Sequence, residues 1–182
     1  MNVANLATVS RIALIPVVIL IYYADWRYAN LIAAVVFAIA SLTDWLDGYL
    51  ARKLNLTSEF GAFLDPVADK LLVVGVLIML VSVYPLILTA TIVIIAREIL
   101  VSALREWMAA KGKREKVAVA FSGKLKTTVQ MIAICALLLF HDDFPFWILQ
   151  VGYVTTYVAA GLSLWSMGEY FQNAWEVLFP EE

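Results

Sequence analysis

The chain has 182 residues, of which 63% are hydrophobic and 15% are charged, and its mean hydropathy is +0.86. Soluble domains are about 45–50% apolar, so this composition excludes an ordinary soluble globule and indicates an integral membrane protein. The one cysteine, Cys135, excludes a disulfide framework, and the net charge of −2 is less informative than the distribution of charge. The length predicts a single membrane domain over residues 1–182, and no nucleic-acid partner is expected.

Charge-free runs predict an all-α fold with six transmembrane helices. The runs are Ile12–Ala24, Tyr28–Thr43, Leu71–Ala96, Thr127–Phe140 and Phe144–Gly168. Pro85 divides the longest run into two helices. A span needs roughly 20 residues, so most segments cross the bilayer only if their charged flanks also enter it. The predicted helices are 5–24, 28–53, 60–82, 86–110, 118–140 and 145–172.

The first predicted helix, 5–24, carries Arg11 before an apolar stretch, which is also the pattern of a signal peptide. No small-residue cleavage site follows, so a retained helix is favoured and a signal peptide is the alternative. Short connections make successive helices antiparallel, and twelve of the 13 Lys and Arg residues then fall on one side, with only Arg27 opposite. The positive-inside tendency predicts that this side, with both termini, is cytoplasmic.

The second predicted helix, 28–53, ends in a polar face. At about 100° per residue, Asp44, Asp47, Gly48 and Ala51 lie on the same face. Gly48 and Ala51 lack bulk, so a phosphorylated ligand can approach the backbone there. Arg52 follows directly, and a guanidinium is suited to binding phosphate.

The third predicted helix, 60–82, begins with a polar face. Gly61, Asp65 and Asp69 share that face if the helix runs through Pro66. In the alternative, Asp65 is the N-cap residue and Pro66 is the first helical residue. Antiparallel packing brings this polar end beside those of helices 2, 4 and 5, which predicts one polar chamber on the cytoplasmic side.

Four carboxylates so close to hydrocarbon repel one another strongly. In one interpretation, the aspartates are solvated surface charges or partners of Arg52 and Lys70. In the other, they surround divalent cations, which remove the repulsion. Mg²⁺ takes carboxylate oxygens and leaves positions for water and substrate phosphates. Two such ions can clamp a phosphate ester, so the cation alternative predicts phosphoryl-transfer chemistry.

The same aspartates carry a family resemblance. The pattern Asp44-x₂-Asp47-Gly48-x₂-Ala51-Arg52-x₈-Gly61-x₃-Asp65-x₃-Asp69 resembles the signature of the CDP-alcohol phosphotransferases without departure. The resemblance implies a six-helix membrane fold, usually a homodimer, with two Mg²⁺ or Mn²⁺ ions. It implies that Asp44, Asp47 and Asp65 are metal ligands, and that Asp69 is the general base and also contacts the second metal. It further implies a set of CDP-diacylglycerol contacts: Asn5, Thr8, Gly48, Ala51, Arg52, Ser58 and Gly61.

The fourth and fifth predicted helices carry cations that must enter the membrane zone if the helices are to span. These are Arg97 and Arg105 on one side of helix 4, and Lys124 and Lys126 on helix 5. Buried cations need an anion. Glu98 and Glu106 neutralise part of the charge, and the surplus suits a phosphate group.

The segment Ile95–Gln130 resembles the phosphatidylglycerophosphate synthase branch of the family through its "ARE", "LRE", "VAV" and "GK-KTT-Q" elements. Asn5, Thr8 and Arg11 are similar to an N-terminal pattern of the same branch. The resemblance implies CDP-diacylglycerol as donor and sn-glycerol 3-phosphate as acceptor, whose phosphate would be held by Arg97, Arg105, Lys124 and Lys126. It also implies a multi-pass enzyme of the bacterial cytoplasmic membrane, with its active site facing the cytoplasm.

Two alternatives remain at this stage. Within the family, the product could instead be cardiolipin, phosphatidylinositol or phosphatidylserine. Outside it, a cation-coupled transporter would use intramembrane aspartates as an ion path. The far halves of predicted helices 2–5 carry no charged residue, which argues against such a path.

Overall fold

The computed structural model describes the backbone of residues 3–54, 59–118 and 121–179. Inside the helices, the side chains of residues 3–9, 11, 44–54, 59–66 and 69 lie outside the described part. The described residues contain no β-strand, and they form six α-helices joined by short connections. The helices are α1 (Val3–Tyr22), α2 (Ala29–Leu54), α3 (Glu59–Val83), α4 (Leu88–Ala110), α5 (Phe121–Leu139) and α6 (Trp147–Leu178). The predicted all-helical fold is confirmed for this part of the chain.

Three segments are long and apolar enough to cross a membrane, judged over the described residues: Pro85–Ala110, Arg114–Leu139 and Trp147–Leu178. Shorter apolar stretches, Ile12–Tyr22, Ala29–Thr43 and Lys70–Val83, lie within α1, α2 and α3. Large apolar side chains also cover the outside of the bundle, among them Leu20, Ile78, Leu86, Ile92, Ile99 and Val154. A soluble monomer rarely exposes so much apolar surface. Such a surface is suited to contact with the hydrocarbon of a membrane.

The core lies between α1, α2, α3, α5 and α6, with the first half of α4. Its fully buried side chains include Val18, Phe37, Leu77, Leu80, Ile94, Ile134 and Leu137. Small residues allow the helices to approach closely. A Cβ added at Gly152 of α6 would lie 2.6 Å from Cδ2 of Leu137 on α5, and one at Gly75 of α3 would lie 2.9 Å from Cγ2 of Ile15 on α1. Packing of this kind is the main source of helix association in a bilayer.

One end of the bundle, called here the neutral end, is held by uncharged groups. The Tyr23 and Ser82 hydroxyls lie 2.8 Å apart and join the C-terminal ends of α1 and α3. Asn30, at the start of α2, donates to the Phe140 carbonyl at 2.9 Å, just after α5. Tyr157 of α6 donates to the Leu86 carbonyl at 2.7 Å, just before α4. The C-terminal ends of α1, α3 and α5 therefore lie at the same end of the bundle as the N-terminal parts of α2, α4 and α6.

The opposite end, called the charged end, is held by ionised side chains. Lys70 of α3 donates to Ser102 of α4, and Lys126 of α5 pairs with Glu98 of α4. Each contact joins the N-terminal half of one helix to α4 at or beyond its middle. Successive helices from α3 to α5 are therefore antiparallel, and their charged segments meet.

α3 is helical from Glu59 to Val83 without interruption, so Pro66 lies inside it. Asp65 therefore lies within the helix, and the alternative that made it an N-cap residue is wrong. Residues four apart share a helix face, so the backbone aligns Gly61, Asp65 and Asp69 in one row.

A basic connection leaves the charged end after α4. Gly112 has a φ of 70°, a left-handed conformation that favours glycine and commonly ends a helix. The Lys113 amide donates to the Met108 carbonyl and the Gly112 amide to the Ala109 carbonyl, both at 2.9 Å, which closes the helix. The basic residues that follow are exposed, as expected for a solvated loop: Lys111, Lys113, Arg114 and Lys116.

Candidate functional site

The four aspartates can be placed by their helices alone. Asp44 and Asp47 belong to α2, while Asp65 and Asp69 belong to α3, and the side chains of all four lie outside the described residues. The predicted donor-lipid contacts also lie outside that part, either as side chains or, for Ser58, entirely: Asn5, Thr8, Gly48, Ala51, Arg52, Ser58 and Gly61.

The donor chemistry of this set fits a hard divalent cation. Two carboxylates three residues apart on α2 and two carboxylates four apart on α3 each share a helix face. Carboxylate oxygens are the ligands that Mg²⁺ and Mn²⁺ take. Among the side chains that the structure describes, no group of three or more His, Cys, Asp or Glu residues could hold a metal ion. The aspartates of α2 and α3 are candidates for a metal centre because of their carboxylate chemistry.

Near Lys70 of α3 lies a group of charged and polar side chains, called here the Arg97 cluster: Arg97 and Glu98 of α4, Lys126 of α5, and Ser166 and Tyr170 of α6. Arg97 is 8% exposed and Lys126 is 2% exposed. Oε1 of Glu98 accepts from Nη1 of Arg97 at 3.3 Å and from Nζ of Lys126. One carboxylate oxygen is thus shared by two cations, which is the neutralisation by Glu98 predicted from the sequence.

The cluster lies deep along α4. Arg97 follows Leu88 by nine residues, which corresponds to about 14 Å along a 23-residue helix. Buried ions at that depth need partners, and the structure supplies them from three helices. The polar side chains of the charged end therefore extend from the surface toward the middle of the bundle.

Lys70 connects the cluster to the aspartates. It directly follows Asp69 in α3, and it donates to Ser102, which is one turn beyond Glu98 on α4. Glu98 and Ser102 share a face of α4 because they are four residues apart. Lys70 thus links α3, the helix that carries Asp65 and Asp69, to the face of α4 that carries Glu98.

Positive charge is concentrated in the Arg97 cluster. Arg97 and Lys126 are both cations, and among the described side chains they share one carboxylate, that of Glu98. A phosphate monoester near neutral pH is close to a dianion, and charge-assisted hydrogen bonds from arginine and lysine hold such groups firmly. The Arg97 cluster can therefore bind a phosphorylated ligand.

Gln130 extends the polar surface one turn beyond Lys126 on α5. Its side chain is 4% exposed, and its Oε1 atom is buried without a hydrogen-bond partner within the described residues. Buried polar atoms usually bond to protein, water or ligand. Gln130 therefore continues the polar face of α5 from Lys126 into the buried part of the bundle.

The four predicted acceptor-binding cations do not all lie together. Arg97 and Lys126 meet through Glu98, as described. Arg105 is half-buried and lies two turns further along α4, about 12 Å from Arg97 along the axis. Lys124 is exposed. Between described residues, neither Arg105 nor Lys124 forms an ion pair or side-chain hydrogen bond with the Arg97 cluster.

Two polar side chains of α6 in this cluster were missed by the sequence analysis. Ser166 and Tyr170 contact Arg97 from α6. A signal was present: Ser163, Ser166 and Tyr170 recur at helical spacing, so three polar groups share one face of a membrane helix. Glu169 also accepts from Ser122 of α5, which ties α5 and α6 together at the charged end.

The chain was compared with known proteins. Residues 1–165 match the family model "CDP-alcohol phosphatidyltransferase". The CDP-diacylglycerol–glycerol-3-phosphate 3-phosphatidyltransferase of Pseudomonas fluorescens is 49% identical over 179 residues, covering 96% of this chain and 91% of that protein. Proteins of the same name from Salmonella choleraesuis (strain SC-B67) and Shigella flexneri serotype 5b (strain 8401) are each 45% identical over 175 residues, covering 95% of this chain and 94% of each relative.

Proposed function

The chain belongs to the CDP-alcohol phosphatidyltransferase family, and we propose that it transfers the phosphatidyl group of CDP-diacylglycerol to sn-glycerol 3-phosphate. The products are phosphatidylglycerophosphate and CMP. The relatives named for this reaction match nearly the whole chain, and family membership removes the reason to consider a transporter. The structural observation that supports the acceptor assignment is the pair of buried cations, Arg97 and Lys126, which share the carboxylate of Glu98.

Donor recognition belongs to α2 and α3. Asp44, Asp47 and Asp65 would hold two Mg²⁺ or Mn²⁺ ions, with Asp69 touching the second. When bound, these ions supply charge neutralisation to the pyrophosphate of the donor. The CDP group would lie against Gly48, Ala51 and Gly61, where small residues let it approach the helix backbones. Asn5, Thr8, Arg52 and Ser58 complete the proposed donor contacts, with Arg52 suited to a phosphate oxygen.

The chemical step is a single in-line displacement. The Asp69 carboxylate accepts the proton of the free primary hydroxyl of glycerol 3-phosphate. The hydroxyl oxygen then bonds to the β-phosphorus, and the bond from that phosphorus to the bridging oxygen breaks. The electron pair leaves with CMP, so the charge is conserved. Positioning and electrostatics carry most of the rate in phosphoryl transfer.

Acceptor recognition belongs to α4 and α5. Arg97 and Lys126 bind the phosphate of glycerol 3-phosphate, and Arg105 and Lys124 act from the rim of the pocket. A neutral alcohol would leave the buried cations with Glu98 alone and would gain none of the charge-assisted hydrogen bonds. The pocket thus favours a phosphorylated acceptor over inositol or serine.

The setting of this reaction is also proposed. Six spans with the charged end in the cytoplasm would follow from the excess of Lys and Arg on that side. The protein would then be a multi-pass component of the bacterial cytoplasmic membrane, and the family resemblance favours a homodimer. Labelling of single cysteines placed at the Arg27 loop and at the 111–116 connection, in intact cells, tests this orientation.

The function is tested by incubating the purified protein with CDP-diacylglycerol, Mg²⁺ and one alcohol at a time, and measuring CMP release. We expect release with glycerol 3-phosphate, and none above background with inositol, serine or phosphatidylglycerol. Faster release with any of those three alcohols would overturn the acceptor assignment. No release with any acceptor would overturn the activity itself.

A further inference from the structure

Arg97 is held from one side by α6. Its Nε and Nη2 atoms both donate to Oγ of Ser166, at 3.2 and 3.1 Å. Its guanidinium carbon lies 5.5 Å from the ring centroid of Tyr170. The remaining nitrogen, Nη1, is directed at Glu98. Ser166 of α6 thus binds one edge of the guanidinium, and the Tyr170 ring lies beside it. The Nη1 side faces the Glu98 carboxylate, which is shared with Lys126.

The Ser166 hydroxyl is held in a fixed orientation. It is fully buried, and it donates its own proton to the Ser163 carbonyl at 3.1 Å. With the proton directed along the helix, the oxygen lone pairs remain for the two N–H groups of Arg97. A planar guanidinium bonded along one edge has little freedom to rotate, so the direction of Nη1 is determined by Ser166.

Neighbouring hydroxyls show that burial on α6 does not require such a contact. Ser163 and Thr156 are equally buried, and within the described part of the chain their hydroxyls bond to carbonyls of their own helix, those of Ala159 and Gly152 respectively. Ser166 instead accepts from a cation on another helix. Gly123 of α5 lies against the same contact: a Cβ there would be at ordinary van der Waals distance from Nη2 of Arg97, 3.7 Å, and from Oη of Tyr170, 3.5 Å.

We propose that Ser166 and Tyr170 are positioning residues for acceptor recognition, which hold Arg97 so that its Nη1 side faces the acceptor phosphate. The inference rests on the proposed function and adds to it. Both residues follow the segment 1–165 matched by the family model. The last helix thereby takes part in choosing the acceptor without touching it.

Ser166→Ala is the direct test, with Ser163→Ala as its matched control. Both changes remove one buried hydroxyl from the same helix, but Ser166→Ala alone removes the acceptor of two Arg97 bonds. We expect Ser166→Ala to raise the KM for glycerol 3-phosphate roughly tenfold, the size of one hydrogen bond to a charged group. The KM for CDP-diacylglycerol should not change, and Ser163→Ala should leave both values at wild type. Equal effects of the two substitutions would overturn the inference.

A double-mutant cycle separates positioning from general packing. If Ser166 acts through Arg97, Ser166→Ala should add little to the KM of an Arg97→Ala protein, because the group that it orients is gone. If Ser166 only supports the fold, the two effects should multiply, and the thermal unfolding temperature should fall equally in both backgrounds. Multiplying effects would contradict the proposal.

Tyr170 is tested by comparing Tyr170→Phe with Tyr170→Leu. Phenylalanine keeps the ring beside the Arg97 guanidinium, whereas leucine removes it. We expect Tyr170→Leu to give a KM for glycerol 3-phosphate at least about threefold above that of Tyr170→Phe, in line with a desolvated cation–π contact. Identical values would exclude the ring from this role.

The outcomes distinguish the two levels of the proposal. A wild-type protein that does not use glycerol 3-phosphate refutes the proposed function. A wild-type protein that does use it, with a KM sensitive to Arg97→Ala but not to Ser166→Ala, refutes the positioning role alone.

Discussion

At the two ends of the bundle, the helices are joined by different kinds of side chains. At the neutral end, helices are joined by hydroxyl and amide groups, as between Tyr23 and Ser82 and between Asn30 and the Phe140 carbonyl. Two tyrosine rings, Tyr84 and Tyr153, meet edge to face there, with centroids 6.1 Å apart. At the charged end, the corresponding contacts join ionised side chains such as Lys126 and Glu98.

This difference indicates what each end is for. Neutral hydrogen bonds hold helices together in a bilayer at small desolvation cost. Buried ion pairs are a poor means of stabilisation, because taking the charges out of water costs about as much as the pairing returns. The described hydrogen bonds between helices at the neutral end use no ions, although its loops carry Asp25, Arg27, Asp142 and Asp143. We therefore attribute the buried ions at the other end to the proposed phosphorylated ligand.

The largest effect should come from the aspartates of α2 and α3. Asp44→Asn, Asp47→Asn and Asp65→Asn each replace a charged ligand by a neutral amide of the same shape. We expect each to lower kcat by roughly 10⁴-fold, equivalent to the several kcal/mol that metal ions contribute in such reactions. EDTA should abolish wild-type activity, and added Mg²⁺ or Mn²⁺ should restore it. Full turnover in EDTA would show that the carboxylates do not serve a metal.

Asp69 should behave differently from the other three aspartates. As a general base it acts on chemistry, so Asp69→Asn should lower kcat by about 10²–10⁴-fold. The KM for CDP-diacylglycerol should change little. Steady-state kinetics with both substrates varied would show this. A variant that turns over normally, or that loses only donor affinity, would contradict the role of Asp69.

A smaller effect is expected within α5, where Lys124 and Lys126 form a natural pair. Both are predicted to contact the acceptor phosphate, but Lys126 is buried against Glu98 and Lys124 is exposed. Lys126→Ala should raise the KM for glycerol 3-phosphate roughly 10- to 100-fold, the value of hydrogen bonds to a charged group. Lys124→Ala should have a clearly smaller effect, because solvent screens an exposed cation. Equal effects would place the phosphate at the rim, nearer Lys124 and Arg105.

The smallest effects should appear at the neutral end. Tyr157→Phe removes the hydrogen bond to the Leu86 carbonyl, and Asn30→Ala removes the one to the Phe140 carbonyl. Each should cost about 0.6 kcal/mol of stability, the average for hydrogen bonds between membrane helices. Thermal unfolding in detergent would measure that loss, while kcat and both KM values stay at wild type. A change in either KM would show that the two ends are not independent.

Much of this architecture could be predicted from the sequence because hydrophobicity and helix-breaking residues are local signals. The charge-free runs and Pro85 predicted six helices, and the observed boundaries differ by a few residues at most ends. α6 continues to Leu178, beyond the predicted 172, because its last turns pack on α4, where Ala174 is buried with Leu104 and Met108. The neutralising role of Glu98 was likewise predictable, because a buried cation needs a counter-charge.

Other features could not be predicted because they depend on tertiary packing. Whether α3 runs through Pro66 is decided by the whole helix, since a proline near a helix start and one inside it look alike in sequence. The separation of Lys124 from Lys126 depends on which face of α5 meets α4. Ser166 and Tyr170 carry no charge, and only the approach of Arg97 from another helix gives them importance.

The sharing of Glu98 by two cations also bears on how the protein is made. Arg97 and Glu98 are adjacent in the chain and pair at 3.3 Å, so α4 carries its own counter-charge when it leaves the ribosome. An unaccompanied arginine at the centre of a nascent helix costs about 2.5–3.5 kcal/mol during translocon insertion. A helix that brings its partner with it can enter the lipid before α5 and α6 exist. Lys126 then arrives later in synthesis and meets a carboxylate that is already in place.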